Sequence, residues 1–146
     1  MSSNIRTILL AEDSPADAEM ALDALREAHL VNPVVHVEDG VEAMDYLLRR
    51  GPWADRPEGN PAVLLLDIKM PRMDGLEVLQ RMREDESLRR VPVVMLTSSS
   101  EESDLARSWD LGVNAYVVKP VDVDQFFSAV KTLGQFWAVF NEAPAE

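Results

Sequence analysis

Five polar residues stand where short apolar runs of this chain end. Glu12 and Asp13 follow the run 8–11, Asp67 follows 63–66, Thr97 follows 91–96 and Lys119 follows 115–118. The run before Asp67 is apolar without alternation, which suits a strand buried on both faces. If the strands are parallel, their C-terminal ends share one edge, where open α/β sheets bind ligands. Three carboxylates, a hydroxyl and an ammonium then meet in one cleft. Crowded carboxylates raise one another's pKa. A hard divalent cation removes that cost, and Mg²⁺ takes carboxylates, waters and phosphate oxygens as ligands. A nearby lysine suits a phosphate as a point charge, and a threonine hydroxyl can donate to a phosphoryl oxygen. The set describes a site for making an acyl phosphate on an aspartate. Asp67 is the expected nucleophile, as the central acid on the central strand. Each residue alone has a plainer reading: Glu12-Asp13 as a helix cap, Asp67 and Thr97 as turn residues, Lys119 as a solvated strand end. Their arrival at one edge favours the site.

The elements that position these residues alternate along the chain. A first strand at 8–11 leads to Ser14-Pro15, a helix start with serine as N-cap, and a helix to about residue 30 that buries Ala18, Ala21, Leu22 and Leu25. Asn32-Pro33 breaks it. A second strand spans 34–37. Asp39-Gly40 is expected as a turn, and a second helix spans 41–50 with Ala43, Met44, Leu47 and Leu48 inward. Residues 51–61 hold two glycines and three prolines and are expected to be a loop. After the third strand, 63–66, Asp74-Gly75 signals a turn. Leu76, Leu79 and Met82 give a third helix ending near residue 88. The fourth strand is 91–96. Ser99-Ser100-Glu101-Glu102 suits the start of a fourth helix, which buries Leu105, Ala106 and Trp109 and stops at Gly112. The fifth strand is 115–118. Asp122 with Gln125 caps a last helix carrying Phe126, Val130, Leu133, Trp137 and Phe140. Five strands alternating with five helices imply a doubly wound parallel α/β sandwich.

The remaining composition narrows the function. The 146 residues suffice for one domain with a real core, and 47% hydrophobic with 27% charged residues marks a globular chain. There is no cysteine, hence no disulfide and no thiolate metal site. The net charge of −12 argues against nucleic acid as a partner. No apolar run approaches the ~20 residues of a membrane span, and residues 1–7 lack a signal-peptide core. A cytoplasmic protein, with neither membrane nor nucleic acid as partner, is expected.

These motifs resemble the response-regulator receiver domain of two-component signalling. The resemblance covers about residues 6–134. It rests on Glu12-Asp13, on Leu-Leu-Asp-Ile-Lys-Met-Pro-Arg-Met-Asp-Gly at 65–75, on Leu-Thr-Ser-Ser at 96–99 and on Tyr-Val-Val-Lys-Pro at 116–120. It implies a flavodoxin-like (βα)5 fold with a five-stranded parallel sheet of order 2-1-3-4-5. It implies a single receiver domain over 1–146, its core at about 6–140, with no output domain. Asp67 would accept a phosphoryl group from the phosphohistidine of a sensor histidine kinase. Asp13, Asp67 and the backbone carbonyl of Lys69 would hold Mg²⁺ (or Mn²⁺, with Ca²⁺ in crystals), and Glu12 would reach it through water. Thr97 and Lys119 would contact the phosphoryl oxygens, and Tyr116 would turn inward as Thr97 moves. The bond to Pro120 is expected to be cis. Such a chain supports its own phosphorylation and dephosphorylation without being an enzyme in the ordinary sense. A relay role, passing the phosphoryl group to a histidine phosphotransfer protein, is the alternative within the family. An Asp-nucleophile phosphatase is the alternative outside it. Phosphatases of that kind carry an acid two residues after the nucleophile, where this chain has Lys69.

A narrower resemblance is to the small regulators paired with cyanobacterial and bacterial phytochromes. It rests on the loop 51–61, on Pro-Val-Asp-Val-Asp-Gln-Phe-Phe at 120–127 and on the Phe136-Trp137 pair, and it implies a bacteriophytochrome-type kinase as partner. The last helix, if it runs from 122 to 140, would be ~28 Å long beside strands of ~17 Å. It would overhang the sheet and present Phe136, Trp137 and Phe140. Together with Phe127 and the Trp109 face of the fourth helix, this suggests a homodimer formed through the fourth helix, fifth strand and last helix.

Overall fold

The computed structural model describes residues 6–98 and 110–131. Five parallel strands, β1 (Ile8–Ala11), β2 (Val34–Val37), β3 (Val63–Asp67), β4 (Val93–Thr97) and β5 (Ala115–Val118), form one sheet of order β2-β1-β3-β4-β5. Four described helices cover it: α1 (Pro15–Glu27), α2 (Gly40–Leu48), α3 (Gly75–Glu84) and α4 (Val123–Lys131). The expected fourth helix with Trp109, and the chain bearing Leu133, Phe136, Trp137 and Phe140, lie outside the described residues.

The apolar runs lack alternation because both sheet faces are covered. Along β1, Ile8 and Leu10 pack into the layer with α1 and α4, while Leu9 and Ala11 pack into the layer with α2 and α3. Val63 and Leu65 of β3 join the first layer, Leu64 and Leu66 the second. The period of two is present in the packing, but both phases are apolar. β5 differs. Ala115 and Val117 are buried, whereas Tyr116 and Val118 are exposed. Phe126 of α4 is fully buried, and Phe127, expected on an interface, is half-buried against the α1/α4 layer.

Several boundaries differ from the sequence reading. Both Asp-Gly pairs are helix starts rather than turns. Asp39 caps α2 by accepting from the Glu42 amide, and Asp74 caps α3 by accepting from the Glu77 amide. Both glycines are required by close backbone approach. A Cβ on Gly40 would lie 2.0 Å from the Met73 carbonyl oxygen, and one on Gly75 would lie 2.1 Å from that of Asp67. α1 ends at Glu27, with His29 in the left-handed region. α2 ends at Leu48, where Arg49 takes φ 57°. α3 ends at Glu84; Leu88 is buried but sits in a following turn. β4 starts at Val93. The segment 51–61 opens with a 3-10 turn, Gly51–Trp53. Arg56 then holds the segment down. Its guanidinium lies 4.2 Å from the centroid of the Tyr46 ring and donates to the carbonyls of Tyr46, Pro57 and Gly59. Tyr46 was not expected in the core; it is buried because it stacks edge-on against Trp53 and bonds to the Thr7 hydroxyl.

Gly75 seats α3 directly behind the end of β3. Gly75→Ala should lower unfolding free energy by about 2–4 kcal/mol, because the backbone on which the methyl intrudes cannot rotate away. Urea denaturation measures this.

Candidate functional site

The C-terminal ends of β1, β3, β4 and β5 bring Glu12, Asp13, Asp67, Thr97 and Lys119 to one edge. Ligand oxygens of Glu12, Asp13 and Asp67 lie within 4.8 Å of one another. Glu12 and Asp67 are buried, and Asp13 is exposed. The Lys119 ammonium reaches down between them, 2.9 Å from Asp67 Oδ1 and 3.0 Å from Glu12 Oε1. Thr97 is buried beside this pair, its hydroxyl donating to the Ser98 carbonyl at 3.1 Å.

Local structure fixes each group. Glu12 Oε2 accepts from the Ser14 amide at 3.0 Å, and Ser14 in turn caps α1 by accepting from the Asp17 amide. The Glu12 amide donates to the Val37 carbonyl, and its own carbonyl is hydrogen-bonded to His36 Nε2 at 2.8 Å. Beyond Asp67 the chain turns at once: Gly75 donates to the Ile68 carbonyl at 2.7 Å. Arg72, at φ 68°, ties this loop to Asp39 with Nε 2.9 Å from Oδ2 and Nη2 3.2 Å from Oδ1. The Lys119 amide donates to the Thr97 carbonyl at 2.8 Å, so hydroxyl and ammonium are set by one backbone contact. The Lys119–Pro120 bond is cis. Lys69 and Tyr116 are exposed, with Tyr116 at 42%.

Electrostatics make this a strained set of charges. Burial pushes the Asp67 carboxyl up; Lys119 pulls it down and Glu12 pushes it up again, and it settles at about 7. Burial also opposes the charge on Lys119, but Asp67 and Glu12 outweigh it and raise its pKa. Glu12 Oε1 and Asp67 Oδ1 are buried, and both face the same Lys119 ammonium. One ammonium therefore serves two buried carboxylates at once. A divalent cation fits here, because three carboxylates are gathered and the two buried ones share one ammonium.

Three contacts escaped sequence reading. Asp17, in the first turn of α1, reaches Lys119 Nζ at 3.2 Å. His36 and Arg72 brace Glu12 and the β3–α3 loop. Asp17 stands one helical turn after the Ser14 cap, which was a visible signal; the other two depend on strand pairing and loop folding.

A family model described as the response regulator receiver domain matches residues 8–131. Response regulator Rcp1 of Synechocystis sp. is 34% identical over 140 residues, 96% of this chain and 94% of the relative. Its solved Mn²⁺-bound form has a TM-score of 0.74 at 35% identity, over 90% of this chain and 94% of that one. The bacteriophytochrome response regulator RtBRR is similar at 56% identity and TM-score 0.87, over 96% of this chain and 84% of that one. The phosphorylated cyanobacterial phytochrome response regulator RcpA follows at 40% and 0.75, over 92% and 94%. The sheet order and these neighbours place the fold as the flavodoxin-like receiver fold.

The raised Asp67 pKa has a stability consequence. Its ordinary value is 3.8 and its folded value about 7, so between them the native state binds more protons than the unfolded chain. Stability contributed by the protonated carboxyl is present at low pH and is lost as pH rises through 7. Asp67→Asn should therefore be more stable than wild type at pH 8 without metal, by about 1–3 kcal/mol. The gain should fade on acidification toward the ordinary carboxylate range. Denaturation at a series of pH values in chelator measures both.

Proposed function

We propose that this chain, which belongs to the response regulator receiver family, accepts a phosphoryl group on Asp67 from a sensor histidine kinase and signals by the change in shape that follows. The carrying observation is the buried Asp67 carboxyl held 2.9 Å from the Lys119 ammonium at an open sheet edge. An Asp67 oxygen forms the new bond to phosphorus as the bond to the kinase imidazole nitrogen breaks, and that nitrogen keeps the electron pair and takes up a proton. The product carries about −2 where a carboxylate carried −1. Lys119 meets the added charge. The Thr97 hydroxyl exchanges its Ser98 carbonyl partner for a phosphoryl oxygen. The exposed Tyr116 ring then turns toward the space that Thr97 leaves. This is a shift between two packings of β4 and β5 rather than a newly built state.

Glu12, Asp13 and Asp67, with the Lys69 carbonyl, are the residues that would hold a divalent cation. When bound, Mg²⁺ supplies positive charge that offsets the carboxylates and the phosphoryl oxygens.

The kinship to RtBRR, RcpA and Rcp1 supports a phytochrome-type kinase as partner. The protein would work in the cytoplasm, and no described helix is long and apolar enough to cross a membrane. A homodimer through β5 and its flanking helices is part of this reading, supported by the exposed Tyr116 and Val118 side chains.

Incubation with acetyl phosphate and Mg²⁺, read by intact mass, tests the central step. Wild type should gain one phosphoryl group and Asp67→Asn none, and chelation should slow labelling at least ~10-fold. Equal labelling of both proteins would place the acceptor elsewhere.

A further inference from the structure

We infer that Asp17 is a positioning residue that holds Lys119 back from the phosphoryl site and so limits how fast Asp67 is phosphorylated. The inference rests on the reading of Asp67 as phosphoacceptor and adds a regulator to it.

Lys119 carries three N–H donors and faces three carboxylates: Asp67 at 2.9 Å, Glu12 at 3.0 Å and Asp17 at 3.2 Å. The three are not equivalent. Asp67 and Glu12 hold the ammonium from the buried side, and both raise its pKa. The contact to Asp17 Oδ2 is a hydrogen bond. This third contact draws the ammonium toward a residue outside the acidic cluster, since Asp17 is not among the three gathered carboxylates.

Burial separates them further. The Glu12 and Asp67 side chains are 1% and 3% exposed, whereas Asp17 is 36% exposed. Asp17 therefore stands on the solvent side of Lys119, on the first turn of α1, where the Ser14 cap fixes its backbone. Two effects follow. A phosphoryl oxygen arriving beside Asp67 must compete with Asp17 for the position and donors of the Lys119 ammonium. The Asp17 charge also repels the anionic phosphodonor. Asp17 is a weaker partner than a desolvated phosphoryl group, because water screens its partly exposed carboxylate. It can delay the ammonium without preventing transfer, and once the phosphoryl group is in place it competes for the donor that holds it.

The test compares wild type with Asp17→Asn, Asp17→Ser and Asp17→Glu. Initial labelling by acetyl phosphate in Mg²⁺ is measured at low and high salt, followed by the lifetime of the aspartyl phosphate. Asp17→Asn should label about 3- to 10-fold faster than wild type at low salt. Asp17→Ser, which cannot reach Lys119, should label at least as fast as Asp17→Asn. Asp17→Glu should stay near wild type. At least half of the gain should persist at high salt, because a released donor is not screened away, and the phosphate should last longer in the fast variants. A gain abolished by salt would reduce Asp17 to a field effect and overturn its hold on Lys119. Labelling that is unchanged or slower in Asp17→Asn and Asp17→Ser overturns the inference, including the case in which only their unfolding midpoints move, the mark of a helix-capping role. Absence of labelling in wild type itself overturns the phosphoacceptor reading along with it.

Discussion

One ammonium stands against several carboxylates at the C-terminal edge of the sheet. Lys119 reaches Asp67 at 2.9 Å and Glu12 at 3.0 Å in a place where neither carboxylate is solvated. Removing charges from water costs several kcal/mol per ion, and attraction offsets this only with good geometry and further hydrogen bonds. Here three gathered carboxylates face one ammonium, so the site is left short of positive charge. That shortage is what, under the proposed function, would make it receptive to a cation and responsive to an added phosphoryl group. A site already neutral and satisfied would gain nothing from either.

The rest of the fold keeps these charges from separating. Strand pairing sets the depth of each residue: Asp67 stands beside Leu96, and Thr97 beside Val118. The apolar layers on both faces make withdrawal of Asp67 costly, because Leu64, Leu65 and Leu66 would move with it. Gly75 lets α3 begin against the Asp67 carbonyl, and Arg72 anchors the intervening loop to the cap of α2. Thr97 and Lys119 share a backbone hydrogen bond, so movement of one side chain is felt at the root of the other. Under the proposed function, these constraints would turn a local change of charge into a change in the β4–β5 surface.

Much of this was legible in the sequence, for physical reasons. Strands buried on both faces show as unbroken apolar runs, and a polar residue ending such a run marks the sheet edge. Asp67, Thr97, Lys119 and Glu12-Asp13 were found in this way. Helix starts were harder. Asp39-Gly40 and Asp74-Gly75 carry the chemistry of a turn, and only the approach of distant backbone shows why glycine follows a capping aspartate there. Tyr46 and Arg56 could not be assigned, because their partners come from a segment with no periodicity. Asp17 lies beside the Ser14 cap, but its contact with Lys119 spans most of the chain. The expected contributions of Trp109, Phe136, Trp137 and Phe140 lie outside the described residues.

The shortage of positive charge at Asp67 can be measured directly by following its carboxyl ¹³C resonance through a pH titration, with and without Mg²⁺. Without metal the carboxyl should titrate near 7, and saturating Mg²⁺ should bring it down into the ordinary carboxylate range or below. A carboxyl that titrates in the ordinary range without metal, and does not move when Mg²⁺ is added, would contradict the view of this site as an uncompensated cluster awaiting charge.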